Sequence, residues 1–423
     1  METLQAEPSV LSKAVKRFIF CYLVLYIFPY GFEYIYALDT DDLSFWTKPT
    51  QWFGETFLGL TYDPERLMKG FDSKYDYTRF LLCAVLSLII ATGWLVIDRK
   101  YQLRYESKLN SLLRAVVRYH TGLTMIVYGM AKVLPLQFGD MGIDRLESTI
   151  GQYSPMGFLW AFMSHSKFYT ASAGLIEVIG GVLLLFRRTT LLGAVICFTA
   201  MANVVLMDIG YDVSVKMFAI HLLLMTILLM ADDAARLMKF FVLNQPTQPV
   251  HYAPLFTEKR TRMIGYVLKT LIIGYFTVTT VNMLTDRMKN EHDHRNDHVS
   301  GIYKIRKFVV NGDTLPPLGT DAVRWKNFIL SGTSYMPDKM MVRYMTDSRA
   351  MFTFSADTLQ RTLVFHSDQD STDRYVMKYE RLPENIYVLS GLHKQDSIWI
   401  EAEGKASHEY QLTRSGVRWI RDL

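Results

Sequence analysis

A lone carboxylate, Glu177, stands in the apolar run Tyr169–Phe186 among small residues. At helical spacing Ala173, Gly174, Gly180 and Gly181 share its face, while Leu175, Ile179, Val182 and Phe186 form the opposite one. Small residues let helices approach closely, so that spacing aims Glu177 at protein and the large apolar side chains at lipid. Helical rise puts it about 12 to 14 Å below the outer end of the run, too deep to snorkel out. A carboxylate there needs a partner, water or the loss of its charge, and is a functional hypothesis in its own right. His221 in Val213–Ala231 and the shallower Asn203 in Leu191–Ile209 fall at similar depth. The three form either a hydrogen-bonded knot that fixes helix packing or a ligand or proton site.

Two basic residues extend the set. Arg118, Gly122, Met125, Gly129 and Lys132 follow one another at steps of four and three, on one helical face. Arg118 and Lys132 lie about 21 Å apart along that helix, near its two ends. Anchoring or lipid head-group pairing suits them there, and a role in the site is the alternative. A different chemistry is suggested by His292, His294 and His298, which stand with Glu291, Asp293 and Asp297 in a polar stretch. That spacing could collect zinc or copper, but a solvated spacer with no tight metal site is the expected reading. The cysteines are Cys21, Cys83 and Cys197, each in an apolar run and none in a CxxC pair, which points to packing rather than redox chemistry.

The elements that position these residues are membrane helices. About seven spans are expected: Phe18–Leu38, Phe80–Ile97, Leu113–Leu134, Tyr169–Phe186, Leu191–Ile209, Val213–Ala231 and Ile264–Leu284. Pro29, Gly31 and Glu33 interrupt the first, which lacks a small-x-small cleavage site and reads as a retained anchor. Lys and Arg concentrate in the N-terminal tail (Lys13, Lys16, Arg17) and in alternate loops, as at Arg99, Lys100, Arg104 and Lys108. That alternation puts the N-terminus in the cytoplasm of a bacterial inner membrane and, after an odd number of spans, the C-terminal region outside. The long first loop, Asp39–Arg79, carries Trp46, Trp52 and Phe53, suited to the membrane surface.

Beyond the last span the pattern changes. Residues 1–285 thus read as a transmembrane helical domain, 286–300 as a polar linker and 301–423 as a soluble β-rich domain. Short β-forming segments recur at about ten-residue spacing, from Ile302–Val310 to Ser397–Glu401 and Tyr410–Thr413. Turn signals lie between them at Asn311-Gly312, Ser331-Gly332, Ser390-Gly391, Glu403-Gly404 and Ser415-Gly416. Eight or nine such strands imply an antiparallel barrel or sandwich. The opening segment Gly301–Asp313 resembles the start of a lipocalin-like barrel. The formal net charge of +5 over 423 residues makes no case for nucleic acid.

The membrane region also carries a resemblance. The segment from Gly174 through Glu177, Gly180, Gly181, Phe186 and Arg187 to Gly193 is similar to the core of the DoxX-like family. Arg118–Gly122 and Tyr128–Lys132 add to it, and the likeness spans about 114–231. The resemblance implies a small four-helix bacterial membrane module whose relatives serve in quinone-linked or redox-stress complexes. It therefore implies a quinone as possible ligand, and a membrane or periplasmic protein as partner. The chain carries no flavin or nucleotide motif and no haem-binding histidine pair at matched depth. The expectation is a non-catalytic membrane component that holds a lipid-like ligand such as a quinone and presents an external β domain. The alternatives are a proton-coupled exporter of a small amphipathic molecule, using Glu177, and a quinone- or isoprenoid-linked enzyme with Lys132 or His221 as base.

Overall fold

The computed structural model describes residues 10–28, 46–62, 72–101, 106–248, 258–293, 300–333, 336–405, 407–414 and 416. The chain divides into two compact units, one made of Met1–Gln137 and Thr170–Leu284, the other of Phe138–Tyr169 and Thr285–Leu423. The helices are α1 (Val10–Ile27), α2 (Thr47–Leu58), α3 (Lys74–Tyr101), α4 (Glu106–Val133), α5 (Ile143–Leu146) and α6 (Pro155–His165). They continue as α7 (Lys167–Leu184), α8 (Thr190–Gly210), α9 (Lys216–Ala231), α10 (Ala234–Phe241) and α11 (Lys259–Asp293).

Within the first unit, Val117 and Met125 of α4, Leu184 of α7, Cys197 and Met201 of α8 and Met225 and Leu229 of α9 pack with Leu23 and Tyr26 of α1. Leu175, Ile179, Val182 and Phe186 face outward, an arrangement suited to hydrocarbon rather than water. Among the described residues, α3, α7, α8 and α11 are long and apolar enough to cross a membrane. A fifth span results if α9 and α10, bent by 78°, are one broken span. This is fewer than the seven expected from the sequence. Basic and polar residues along α4, among them Arg114, Arg118, His120 and Lys132, offset its apolar ones. By itself α9 is too short, at 16 residues. The second half of the first expected span, 29–38, lies outside the described residues. At the far end α11 continues through Asp293, so the first half of the stretch read as a linker is helical.

The second unit is a closed antiparallel barrel. Its strands are β1 (Gly301–Val310), β2 (Asp313–Thr314), β3 (Trp325–Thr333), β4 (Met336–Tyr344) and β5 (Arg349–Asp357). They continue as β6 (Thr362–Ser367), β7 (Arg374–Leu382), β8 (Ile386–His393) and β9 (Asp396–Lys405). Eight of them run up and down, each beside the next, and β9 returns to pair with β1 from Ile302↔Lys405 to Val310↔Ile398. The short β2 is a hairpin on β1, turned through Asn311 and Gly312 at φ 52° and 92°, where a left-handed pair of residues matches strand twist. Closure removes the exposed edges an open sheet would leave.

Inside, Phe308, Trp325, Phe328, Phe352, Phe365 and Tyr375 fill the barrel. What remains is a recess of about 20 Å³ beside Tyr303, Phe328 and Leu363, room for one water molecule. Two expectations need correction here. Gly332, Gly391 and Gly404 lie within β3, β8 and β9 rather than in turns. At Gly391 the reason is crowding, since a Cβ there would lie 2.1 Å from the Val376 carbonyl oxygen. The expected last strand, Tyr410–Thr413, contains a short 3-10 turn (Gln411–Thr413) instead. With β1 and β9 already paired, no edge is left for it to join.

The segment 138–169 belongs to this barrel unit although it lies in the sequence between α4 and α7. Glu147 is its main attachment: the carboxylate accepts from Asn327 Nδ2 at 3.1 Å and from the Tyr410 hydroxyl. Arg343 donates to the Glu147 backbone oxygen at 2.6 Å, and Arg349 to Ser148 at 3.2 Å. His165 Nδ1 donates to the Leu412 carbonyl at 2.7 Å. These bonds give partners to Asn327 Nδ2 and Arg343 Nη1, on buried residues of β3 and β4.

Candidate functional site

The closest approach of α4 and α7 is made by glycines. Gly129 meets Gly174, where an added Cβ would stand 2.5 Å from the opposite carbonyl oxygen. Gly122 meets Gly181, where the corresponding distance is 2.6 Å for a Cβ on Gly181. A seven-residue step on each antiparallel helix thus brings two backbones into contact twice. Between the contacts only side chains at the flanks of the seam have room.

Lys132 and Glu177 occupy one such flank. The Lys132 ammonium donates to both oxygens of Glu177, at 2.9 and 2.7 Å, and the residues are 7% and 4% exposed. The Lys132 stem turns inward from the end of α4 rather than out toward lipid head groups, because a carboxylate in an apolar surrounding is the stronger attraction. An ammonium has three donors, and this carboxylate engages two of them. The Tyr128 ring lies 5.9 Å from the same nitrogen.

The other polar residues singled out from the sequence are not at this pair. His221 belongs to an aromatic cluster: Nδ1 donates to the Met217 carbonyl at 2.6 Å, leaving Nε2 to accept from the Tyr22 hydroxyl at 2.7 Å. The carbonyl can only accept, which sets the tautomer. Tyr26 stacks on the imidazole at 4.0 Å, with Phe80 at 5.1 Å. Asn203 is exposed on α8 and joins neither group. This corrects the expected knot of Glu177, His221 and Asn203: similar depth does not place three helices' residues on facing sides. Arg118, toward the other end of α4, donates to Thr190 at 3.4 Å and stacks over Tyr119. His292 falls in the last turn of α11, and His294 and His298 lie outside the described residues. Among the described residues no group of three or more His, Cys, Asp or Glu could hold a metal.

Sequence reasoning passed over Tyr22, Tyr26 and Asp208. Tyr22 and Tyr26 were hidden in an ordinary-looking aromatic run, although their spacing of four puts both on one face. Lys216 pairs with Asp212 at 2.7 Å, while Asp208 is 5% exposed and its Oδ2 has no hydrogen-bond partner. Lys132 is the basic group that acts most strongly on it. Nearby, Asp72 accepts the first amides of α9, from Lys216 at 2.6 Å and Met217 at 3.0 Å, and so caps that helix.

Comparison with known proteins places one relative beside this geometry. The uncharacterized protein YwoB of Bacillus subtilis (strain 168) is 31% identical over 140 residues, which cover 33% of this chain and 88% of YwoB. No family model and no solved structure matches the chain.

Proposed function

From the premise that the chain belongs to the family of the Bacillus subtilis protein YwoB, we propose a multi-pass membrane protein that holds a lipid-like ligand at the Lys132–Glu177 pair. The ligand class is an amphipathic molecule with an oxygen-bearing head, such as a quinone. The role is non-catalytic, and the barrel serves as the contact module for a membrane or periplasmic protein partner. In this reading the helical unit spans a bacterial inner membrane about seven times, with the N-terminus inside and the barrel outside. The DoxX-like and lipocalin-like resemblances are part of the same proposal.

The observation that carries it is the buried ion pair at a glycine-lined seam. Two buried charges are costlier than well-packed apolar residues of the same volume. Inside a membrane bundle such charges mark ligand or ion pathways more often than anchors. The remaining Lys132 N–H is a donor for a carbonyl oxygen. The barrel interior is packed with aromatic rings around a recess of about 20 Å³. The test is lipid extraction from protein purified in its native membrane lipids, followed by mass spectrometry. Near-stoichiometric quinone in the wild type, lost in Lys132→Ala, is expected. Equal retention in both, or none in either, would end the proposal.

One observation favours a second reading, proton-coupled export. Asp208 is a second buried carboxylate, with an oxygen that has no hydrogen-bond partner, within the field of the same ammonium. Proton uptake into vesicles on substrate efflux, abolished in Asp208→Asn, would select it.

A further inference from the structure

Helix α6 lies in the barrel unit and has two unlike faces. Leu159, Ala161, Met163 and Ser164 are buried, and Ser164 donates to the Phe138 carbonyl at 2.9 Å. Phe158 and Phe162, one turn apart, are 45% and 55% exposed. Rings continue that stripe at both ends: Tyr153 meets Phe158 with centroids 6.3 Å apart, and Phe162 meets Tyr169 at 5.6 Å. Water is a poor solvent for such a row of rings.

The chain itself says what covers the row. His165 ends α6 and Lys167 begins α7, a helix long and apolar enough to cross a membrane. The outward side of α7 is Phe168, Leu175, Ile176, Ile179 and Val182. The ring contact between Phe162 and Tyr169 joins the α6 stripe to the first turn of α7. One residue separates the two helices, so α6 ends within a few ångströms of the first residue of α7, the end at which that helix enters hydrocarbon. Aromatic rings with a neighbouring lysine are the residues that settle at that level.

We propose that α6 is an interfacial foot: the face bearing Phe158 and Phe162 lies in the head-group layer of the bilayer and seats the barrel unit on the membrane. The occupant is lipid, not a second protein. The inference needs α7 to be a span but does not depend on the quinone proposal.

The test uses the full chain in phospholipid vesicles with single cysteines carrying an environment-sensitive fluorophore. The protein's own cysteines, Cys21, Cys83 and Cys197, are buried. Phe158→Cys and Phe162→Cys are compared with Ile179→Cys on α7 and with Leu359→Cys, which is 95% exposed between β5 and β6. Phospholipids spin-labelled near the head group are expected to quench labels at 158 and 162 several-fold more than at 359, with blue-shifted emission, and phospholipids spin-labelled deep in the acyl chain to quench the label at 179. Labels at 158 and 162 that behave like 359 while 179 is quenched would overturn the foot and leave the span intact. No quenching at 179 would overturn both. A blue shift at 158 and 162 without lipid quenching, together with dimers on crosslinking, would overturn the lipid assignment in favour of a second copy.

Discussion

At the scale of single residues, the Lys132–Glu177 pair makes distinguishable demands. Removing one partner strands a buried charge, so Lys132→Met alone or Glu177→Leu alone is expected to cost about 3 to 5 kcal/mol of stability. The double change Lys132→Met with Glu177→Leu removes both charges and is expected to recover most of that loss, measured as detergent-phase thermal unfolding of the four proteins. Additivity instead of recovery would mean that the two side chains do not act as a pair. Glu177→Gln keeps the shape but not the charge. It is expected to preserve folding and insertion while losing the bound ligand, so a Gln variant that keeps its ligand leaves the pair a purely structural role. In the barrel, Asp368 accepts from Lys339 and from Thr353, both at 2.7 Å. The Lys339 hydrogen bond, with that from Thr353, holds the Asp368 carboxyl below its ordinary value of 3.8. A depressed carboxyl contributes stability above its unfolded value and loses it as pH falls through the folded one. Thermal stability of the barrel unit is therefore expected to hold from pH 7 to 5 and to fall below about pH 4. Lys339→Met should flatten that fall, and an unchanged pH profile would remove the contribution of this carboxyl.

Among the elements, the seam of α4 and α7 depends on the absence of side chains. A methyl at Gly174 would stand 2.5 Å from the Gly129 oxygen, a backbone atom that cannot swing aside. Gly174→Ala is expected to push the helices apart and cost about 1 to 3 kcal/mol. Gly274, on α11, has open space where its Cβ would be. Gly274→Ala should be neutral or stabilising by a few tenths of a kcal/mol, through lost freedom of the unfolded chain. Equal unfolding temperatures for the two variants would refute close packing at the seam. The attachment of segment 138–169 to the barrel is a second such element. Glu147→Ala removes the acceptor for Asn327 and Tyr410. Faster cleavage within 138–169 in limited proteolysis, with the barrel core still protected, is the expected result.

For the whole molecule, the arrangement of basic loops predicts a barrel outside the cytoplasm. Alkaline phosphatase fused after Leu423 is expected to be active, and a green fluorescent protein fused there dark. A bright fluorescent fusion would place the barrel inside. The barrel's centre is occupied by side chains from every strand but β2, so it is a packed core rather than a ligand container.

Periodicity alone determined much of this. The small-residue stripe around Glu177, the outward side of Leu175, Ile179 and Val182 and the run of short β segments are all consequences of 3.6- and 2-residue repeats, which each residue's neighbours along the chain reveal. The Asn311-Gly312 turn was legible for the same local reason. Partnership was not. Whether Lys132 reaches lipid or Glu177 depends on which helix lies across from it, and Asn203 shares the depth of His221 without sharing its surroundings. Barrel closure, the burial of Gly391 within a strand and the adoption of 138–169 by the barrel likewise rest on contacts between residues far apart in sequence. Those contacts are set by shape and packing in three dimensions, and no local repeat encodes them.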